Sequence, residues 1–310
     1  MDIAAFLSDP LLLVARNAAA IATARLDHWS GRLAGADVGS KDNPNDLVTV
    51  ADGEIESLVL GYLTALRPQD TVIGEEHAEP RTLGTAPDGG KAAAALLTIP
   101  SCLSDGPVWS TPVEWHVDPI DGTVNFVRGI EHHCFSIGGK DPETGEWIVG
   151  LVASPALRSV WFARRGAGAW KTDRLPVPGG DGTVPTAAEA VPAGTFTRLT
   201  GAPANRRGTV AATGFGYARE RRIEQFRRLE TIMERFDDIR RCGSAAIDLC
   251  MAAEGKVDAY FERGLGIYDW AAGALIAEEA GVQVARAASG PEPTIAASDP
   301  ELFAFLRAHA

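Results

Sequence analysis

Residues 116–126 read HVDPIDGTVNF, and this segment restricts the chain more than any other. Two carboxylates, Asp118 and Asp121, flank Pro119 and Ile120. Proline fixes its own φ and lacks an N–H, so the segment reads as a rigid turn. Hard divalent cations such as Mg2+ take several oxygen ligands. Asp118 and Asp121 can supply two carboxylates, and the turn can aim the Ile120 carbonyl at the same ion. Gly122 lets the backbone approach a ligand closely. A helix starting at Gly122-Thr123 would point its free N–H groups at an anion. The competing reading is a plain turn, because Asp-Pro and Asp-Gly are common turn dipeptides.

An anion site raises a charge problem. The chain has 310 residues and a formal net charge of −12. A general nucleic-acid binder would need a basic footprint, so nucleic acid is not an expected partner. A phosphorylated ligand would need local cations, from Lys and Arg or from metal ions. Hydrophobic residues make up 45% of the chain, enough for a sizeable core. Cys102, Cys134, Cys242 and Cys250 show no C-x-x-C spacing, which excludes a zinc knuckle or thioredoxin motif. They read as reduced thiols of a cytoplasmic protein. The first twenty residues lack a basic leader, and no apolar run is long enough to span a membrane.

Apolar spacing predicts a first helix over 10–28 and a second through Ile55–Leu66 capped by Asp52. DTVIGEE reads as a short buried strand ending in Glu75 and Glu76. Residues 80–112 read as a Gly/Pro/Ala-rich insertion or lid, with a short helix at KAAAALL. HHCFSIGG, EWIVGLVAS and SVWFARRGAGAW predict antiparallel strands. The Pro/Gly-rich stretch 175–194 divides the chain into parts 1–180 and 181–310. The second part alternates strands and helices, as an α/β unit does, and Asp299-Pro300 opens its last helix. His132 and His133 would point to opposite faces of a strand and so could not share an ion. His116 reads as structural, and RERRIEQFRRLE as a solvated helix face.

Three separated motifs carry a resemblance. GEE (74–76), DPIDGT (118–123) and YDWAAGALIAEEAG (268–281) resemble, in order, the three signatures of the inositol monophosphatase family. Tyr268 stands where the family has Trp before the aspartate. The resemblance spans nearly the whole chain. It implies a layered αβαβα sandwich of mixed α+β and α/β character, shared with fructose-1,6-bisphosphatase. It also implies a lithium-sensitive, Mg2+-dependent phosphomonoesterase, commonly a homodimer.

Carried over by motif, Glu75, Asp118 and the Ile120 carbonyl resemble ligands of a first metal. Asp118, Asp121 and Asp269 resemble those of a second, and Glu76 would assist a third ion. Two or three Mg2+ ions per site are implied, with Mn2+ as a substitute. Gly122 and Thr123 match the backbone that receives phosphate. Asp52, Thr123 and Glu75 are the implied catalytic set, with Lys41 supporting. The implied reaction is in-line attack by metal-activated water, without a covalent enzyme intermediate.

Selectivity rests on GSAA (243–246) and Glu262, seven residues before Asp269. Gly243, Ser244, Ala245 and Glu262 are implied ring contacts, with Asp121 and Asp269 beside them. Alone, Glu262 also reads as a surface acid at a strand end. DGTVNF favours inositol monophosphate over fructose 1,6-bisphosphate, histidinol phosphate or phosphoadenosine phosphate. The expected ligand is thus a small phosphorylated polyol or sugar. The rival class is a non-catalytic binding homologue, which should have lost metal carboxylates.

Overall fold

The computed structural model describes residues 9–41, 46–76, 81–82, 111–173, 196–204, 206–287 and 292–310. Most of the expected 80–112 insertion, with KAAAALL, lies outside these residues, as does the 175–194 connection.

The first expected helix forms as α1 (Pro10–Trp29). Asp9 caps it, accepting from the N–H groups of Leu11 and Leu12 at 3.0 and 3.1 Å, with Pro10 in the first turn. A small hairpin of β1 (Val38–Ser40) and β2 (Leu47–Thr49) leads into α2 (Val50–Leu66). The N-cap of α2 is Thr49, not Asp52. Asp52 lies three residues further on and closes a capping box, accepting from the Thr49 N–H at 2.7 Å. A Thr-x-x-Asp pattern satisfies two orphan donors reciprocally, which a lone Asp cap would not.

The larger sheet holds β3 (Thr71–Gly74), β4 (Arg81–Thr82), β5 (Glu114–Asp121), β6 (Cys134–Lys140), β7 (Trp147–Ser154), β8 (Ser159–Arg164), β9 (Gly168–Thr172) and β10 (Phe196–Arg198). Its order is β10-β9-β8-β7-β6-β5-β3-β4, antiparallel except for the parallel pair β3–β5. A short helix, α3 (Thr123–Val127), follows β5 directly. The strand predicted over HHCFSIGG begins only at Cys134, so both histidines precede it.

The rest of the chain contributes β11 (Val210–Thr213), α4 (Arg219–Ile232), β12 (Asp238–Arg240), α5 (Ala245–Ala253), β13 (Ala259–Arg263), α6 (Ile267–Glu279), β14 (Gln283–Ala285), β15 (Pro293–Ala297) and α7 (Pro300–His309). The smaller sheet runs β12-β11-β13-β15-β14, with β12, β11 and β13 parallel. Asp299 caps α7 with Pro300 at its start, as the sequence predicts.

The layers stack as α1/α2, larger sheet, α5/α6, smaller sheet, α4/α7. One core joins α1 and α2 to the sheet through Leu11, Ile55, Trp115 and Phe135. A second joins the opposite face to α5 and α6 through Trp161, Leu249, Trp270 and Leu275. Strand β10 pairs with β9, so residues beyond the connection complete the first sheet.

The seating of α6 requires two glycines. A Cβ on Gly138 would lie 2.8 Å from Ala271 Cβ, and one on Gly150 would lie 2.9 Å from the Ala272 carbonyl oxygen. Helix α6 therefore lies almost on the backbones of β6 and β7, which fixes the height of Asp269 at its start. Gly150→Val is expected to lower unfolding free energy by about 1–3 kcal/mol through overpacking. A denaturant midpoint equal to wild type would show that α6 has freedom to move.

Candidate active site

β5, an interior strand between β6 and β3, carries its acids at its C-terminal end. Asp118 and Asp121 are buried, 1% and 7% exposed. The Ile120 N–H donates to Asp118 Oδ1 at 3.0 Å, an Asx turn that fixes the Asp118 carboxylate. Gly122 then takes φ +93 and turns the chain into α3. A Cβ there would meet the carbonyl oxygens of His132 at 3.0 Å and Gly243 at 3.1 Å, so glycine is required for conformation and space together. Thr123 Oγ1 lies 3.0 Å from the Ile120 carbonyl oxygen and 3.4 Å from Asp52 Oδ1.

The other acids arrive from remote segments. Thr49 Oγ1 donates to Asp52 Oδ2 at 2.6 Å, so the capping box holds one oxygen and leaves Oδ1 facing Thr123. The Glu75 N–H donates to the Val117 carbonyl at 3.1 Å, which carries the register of β3 and β5 past the strand end. Lys41 Nζ lies 2.7 Å from Glu75 Oε1 and 2.7 Å from Glu76 Oε1. Asp269 enters on the first turn of α6, accepting from the Gly266 N–H at 2.6 Å.

Asp121 is held from the second half of the chain. Ser244 Oγ and the Ala246 N–H each donate to Asp121 Oδ2 at 2.7 Å, and the Ala245 N–H reaches Oδ1 at 3.3 Å. The start of α5 is thus spent on Asp121. Ser244 is 1% exposed, so its hydroxyl bears on the site through that carboxylate. Gly243 and Ala245 line the cleft. Glu262 also lines it, at the end of β13, and accepts from Tyr260 Oη at 2.9 Å.

Crowding and burial set the electrostatics. Burial, then the carboxylates of Glu75, Asp121 and Asp269, push Asp118 well above the usual carboxylate range. Burial, then Asp121 and Glu75, do the same to Asp269. Burial raises Asp121 to about 6 against the donors from Ser244 and Ala246. It raises Asp52 to about 7 and Glu262 to about 8. Burial also raises Glu75, with Lys41 opposing.

Two carboxylate groups result. Ligand oxygens of Asp52, Glu75 and Glu76 lie within 4.8 Å of one another, as do those of Asp118, Asp121 and Asp269. Lys41 partners the first group. Among the described residues, no Lys or Arg pairs with the second. Three carboxylates this close, two of them buried and one half-buried, are strongly unfavourable when all are ionised without a cation. An all-oxygen donor set of this density fits hard divalent ions such as Mg2+.

The groups open into a cleft of about 390 Å³, within the range of small-molecule sites. Arg221, Arg241, Tyr217 and Tyr268 line it, and the sequence reading missed all but Tyr268. Most of α4 is a solvated basic face, but Arg221 turns from that face to the cleft. Arg241 adjoins the GSAA segment, the one sequence cue to its position. His116 is fully buried beside Glu114 and Trp147, and burial lowers it to about 4, consistent with a structural role. His132 faces Asp248, whereas His133 Nδ1 faces the Ile130 carbonyl. The pair diverges because of the loop before β6 and not because of strand alternation.

The model of the inositol monophosphatase family matches residues 8–304. Inositol-1-monophosphatase SuhB of Mycobacterium tuberculosis is 37% identical over 247 residues, covering 80% of this chain and 71% of that protein. Nus factor SuhB of Vibrio cholerae is 32% identical over 250 residues, covering 80% and 74%. The solved structure of Mycobacterium tuberculosis SuhB has a TM-score of 0.68 at 32% identity, covering 96% of this chain and 94% of that one. Among the described residues no helix is long and apolar enough to cross a membrane.

Proposed function

The chain belongs to the inositol monophosphatase family, and from that premise we propose that it is a Mg2+-dependent phosphatase of small polyol monophosphates, with inositol monophosphate foremost. The observation that carries this reading is the trio of buried Asp118 and Asp121 with half-buried Asp269, which pairs with no Lys or Arg among the described residues, beside Glu75 and the Asp52–Thr123 pair.

Glu75, Asp118 and the Ile120 carbonyl would hold one ion, Asp118, Asp121 and Asp269 a second, and Glu76 would assist a third. Bound divalent ions supply charge neutralisation for phosphoryl oxygens and acidify water. Asp52 Oδ1 and Thr123 Oγ1 orient a water, since the capping box already fixes the other Asp52 oxygen. Gly122 and Thr123 offer backbone N–H groups to phosphate at the turn into α3. Arg221 and Arg241 add positive charge at the cleft. Ala245 and Glu262 face the leaving alcohol.

Glu262→Gln is expected to raise KM for inositol monophosphate by about tenfold and to leave turnover of a simple aryl phosphate within about twofold. Equal losses on both esters would remove Glu262 from alcohol recognition. The name of the Vibrio relative suggests a second, binding role, but the full carboxylate set favours catalysis. The deciding experiment is phosphate release from inositol 1-phosphate, fructose 1,6-bisphosphate and histidinol phosphate, run with Mg2+, with EDTA, and with Mg2+ plus Li+. Mg2+-dependent, Li+-inhibited release led by inositol phosphate is expected. No release from any ester would transfer the weight to a binding protein.

A further inference from the structure

We propose that His132, Cys242 and Asp248 form a separate site for a thiophilic divalent cation such as Zn2+. One ligand atom from each lies within 4.8 Å of the other two. The three come from different segments: the loop before β6, the loop before α5, and the first turn of α5. Imidazole, thiolate and one carboxylate suit a borderline-soft ion, whereas the all-oxygen centre suits a hard one. The two sites would therefore select different metals.

The ligands are held ready. His132 Nε2 lies 2.9 Å from Asp248 Oδ1, and Asp248 is 1% exposed. Two such ligands on one tetrahedral Zn2+ would lie about 3.4 Å apart, so a small opening of this pair admits the ion. Cys242 is unoxidised and half-buried, and no hydrogen bond engages its sulfur among the described residues. Asn125 Nδ2 donates to the His132 carbonyl at 2.7 Å and to the Cys242 carbonyl at 2.8 Å, clamping two ligand-bearing backbones together. The same two segments press on Gly122. A cation here would stiffen the wall of the catalytic turn without touching its carboxylates. Three protein ligands leave a fourth position for water.

Co2+ is the probe. It would be titrated into the full chain in excess Mg2+, which occupies the hard oxygen centre. A near-ultraviolet thiolate-to-cobalt charge-transfer band is expected, saturating at one equivalent. The band should vanish in Cys242→Ser and persist in Asp118→Asn. His132→Asn should weaken the apparent affinity at least about tenfold, and circular dichroism would establish that each variant folds. Absence of the band from wild type, or an undiminished band in folded Cys242→Ser, would leave only a buried His–carboxylate pair beside an inert thiol and overturn the proposal.

Discussion

Asp118→Asn should remain folded and lose phosphate release by at least about 10²- to 10³-fold at saturating Mg2+. Asp118 is the acid shared between both proposed metal positions, and it feels Glu75, Asp121 and Asp269 at once. Asparagine keeps the shape, and its Oδ1 can still accept the Ile120 N–H now bound at 3.0 Å. What it removes is one negative charge and one acceptor oxygen. The same change relieves repulsion in the metal-free protein. In EDTA, Asp118→Asn should unfold at the same denaturant concentration as wild type or higher. Calorimetric Mg2+ titration should show weakened binding. Opposite signs for stability and activity separate a ligand from a structural residue, for which both would fall together. A folded Asp118→Asn protein with full activity would dismiss the metal assignment.

The parts of the site legible in the sequence are those built by local rules. The helix opening at Gly122-Thr123 follows from Gly122, and the last helix from Asp299-Pro300; the turn expected at Pro119 instead lies inside β5, as a break in register between Asp118 and Asp121. The sequence misled where two local rules competed. Asp52 and Thr49 are both good caps, and only the structure shows Thr49 taking the cap while Asp52 serves the box and Thr123 at once. Contacts made across the fold were not legible in the residues alone. Nothing local says that Ser244 is spent on Asp121, that Arg221 leaves its helix face for the cleft, or that Lys41 joins Glu75 and Glu76. The convergence of GEE, DPIDGT and YDWAAG came from family resemblance. Its physical basis emerges in the structure, as parallel pairing of β3 with β5 and the glycine-seated approach of α6.

The metal-free protein should lose stability as pH rises from about 5 to about 8, and Mg2+ should restore it at the upper end while adding little at the lower. Asp121, Asp52 and Glu262 are raised to about 6, 7 and 8, and Asp118, Asp269 and Glu75 are also raised. A carboxyl with a higher pKa folded than unfolded binds its proton preferentially in the native state. Its stabilisation is complete below the unfolded value of about 4 and is lost as pH climbs through the folded value. Glu114 and Glu278, lowered by their basic partners despite burial, act in the opposite sense at more acidic pH. His116, which burial lowers to about 4, and His133, also lowered by burial, offset part of the fall below their unfolded value of about 6.5. Groups sharing one pocket titrate as a set, so the combined loss is of the order of a few kcal/mol against a typical total of about 5–15 kcal/mol. Mg2+ takes the place of those protons at pH 8, and at one hundred times its Kd it would return about 2.7 kcal/mol. At pH 5 the protons compete with it. Melting midpoints at both pH values, in EDTA and in Mg2+, test this directly. Stability in EDTA that is flat or rising across the range, or equal Mg2+ stabilisation at both ends, would mean that the carboxylates are solvated and do not form a cation site.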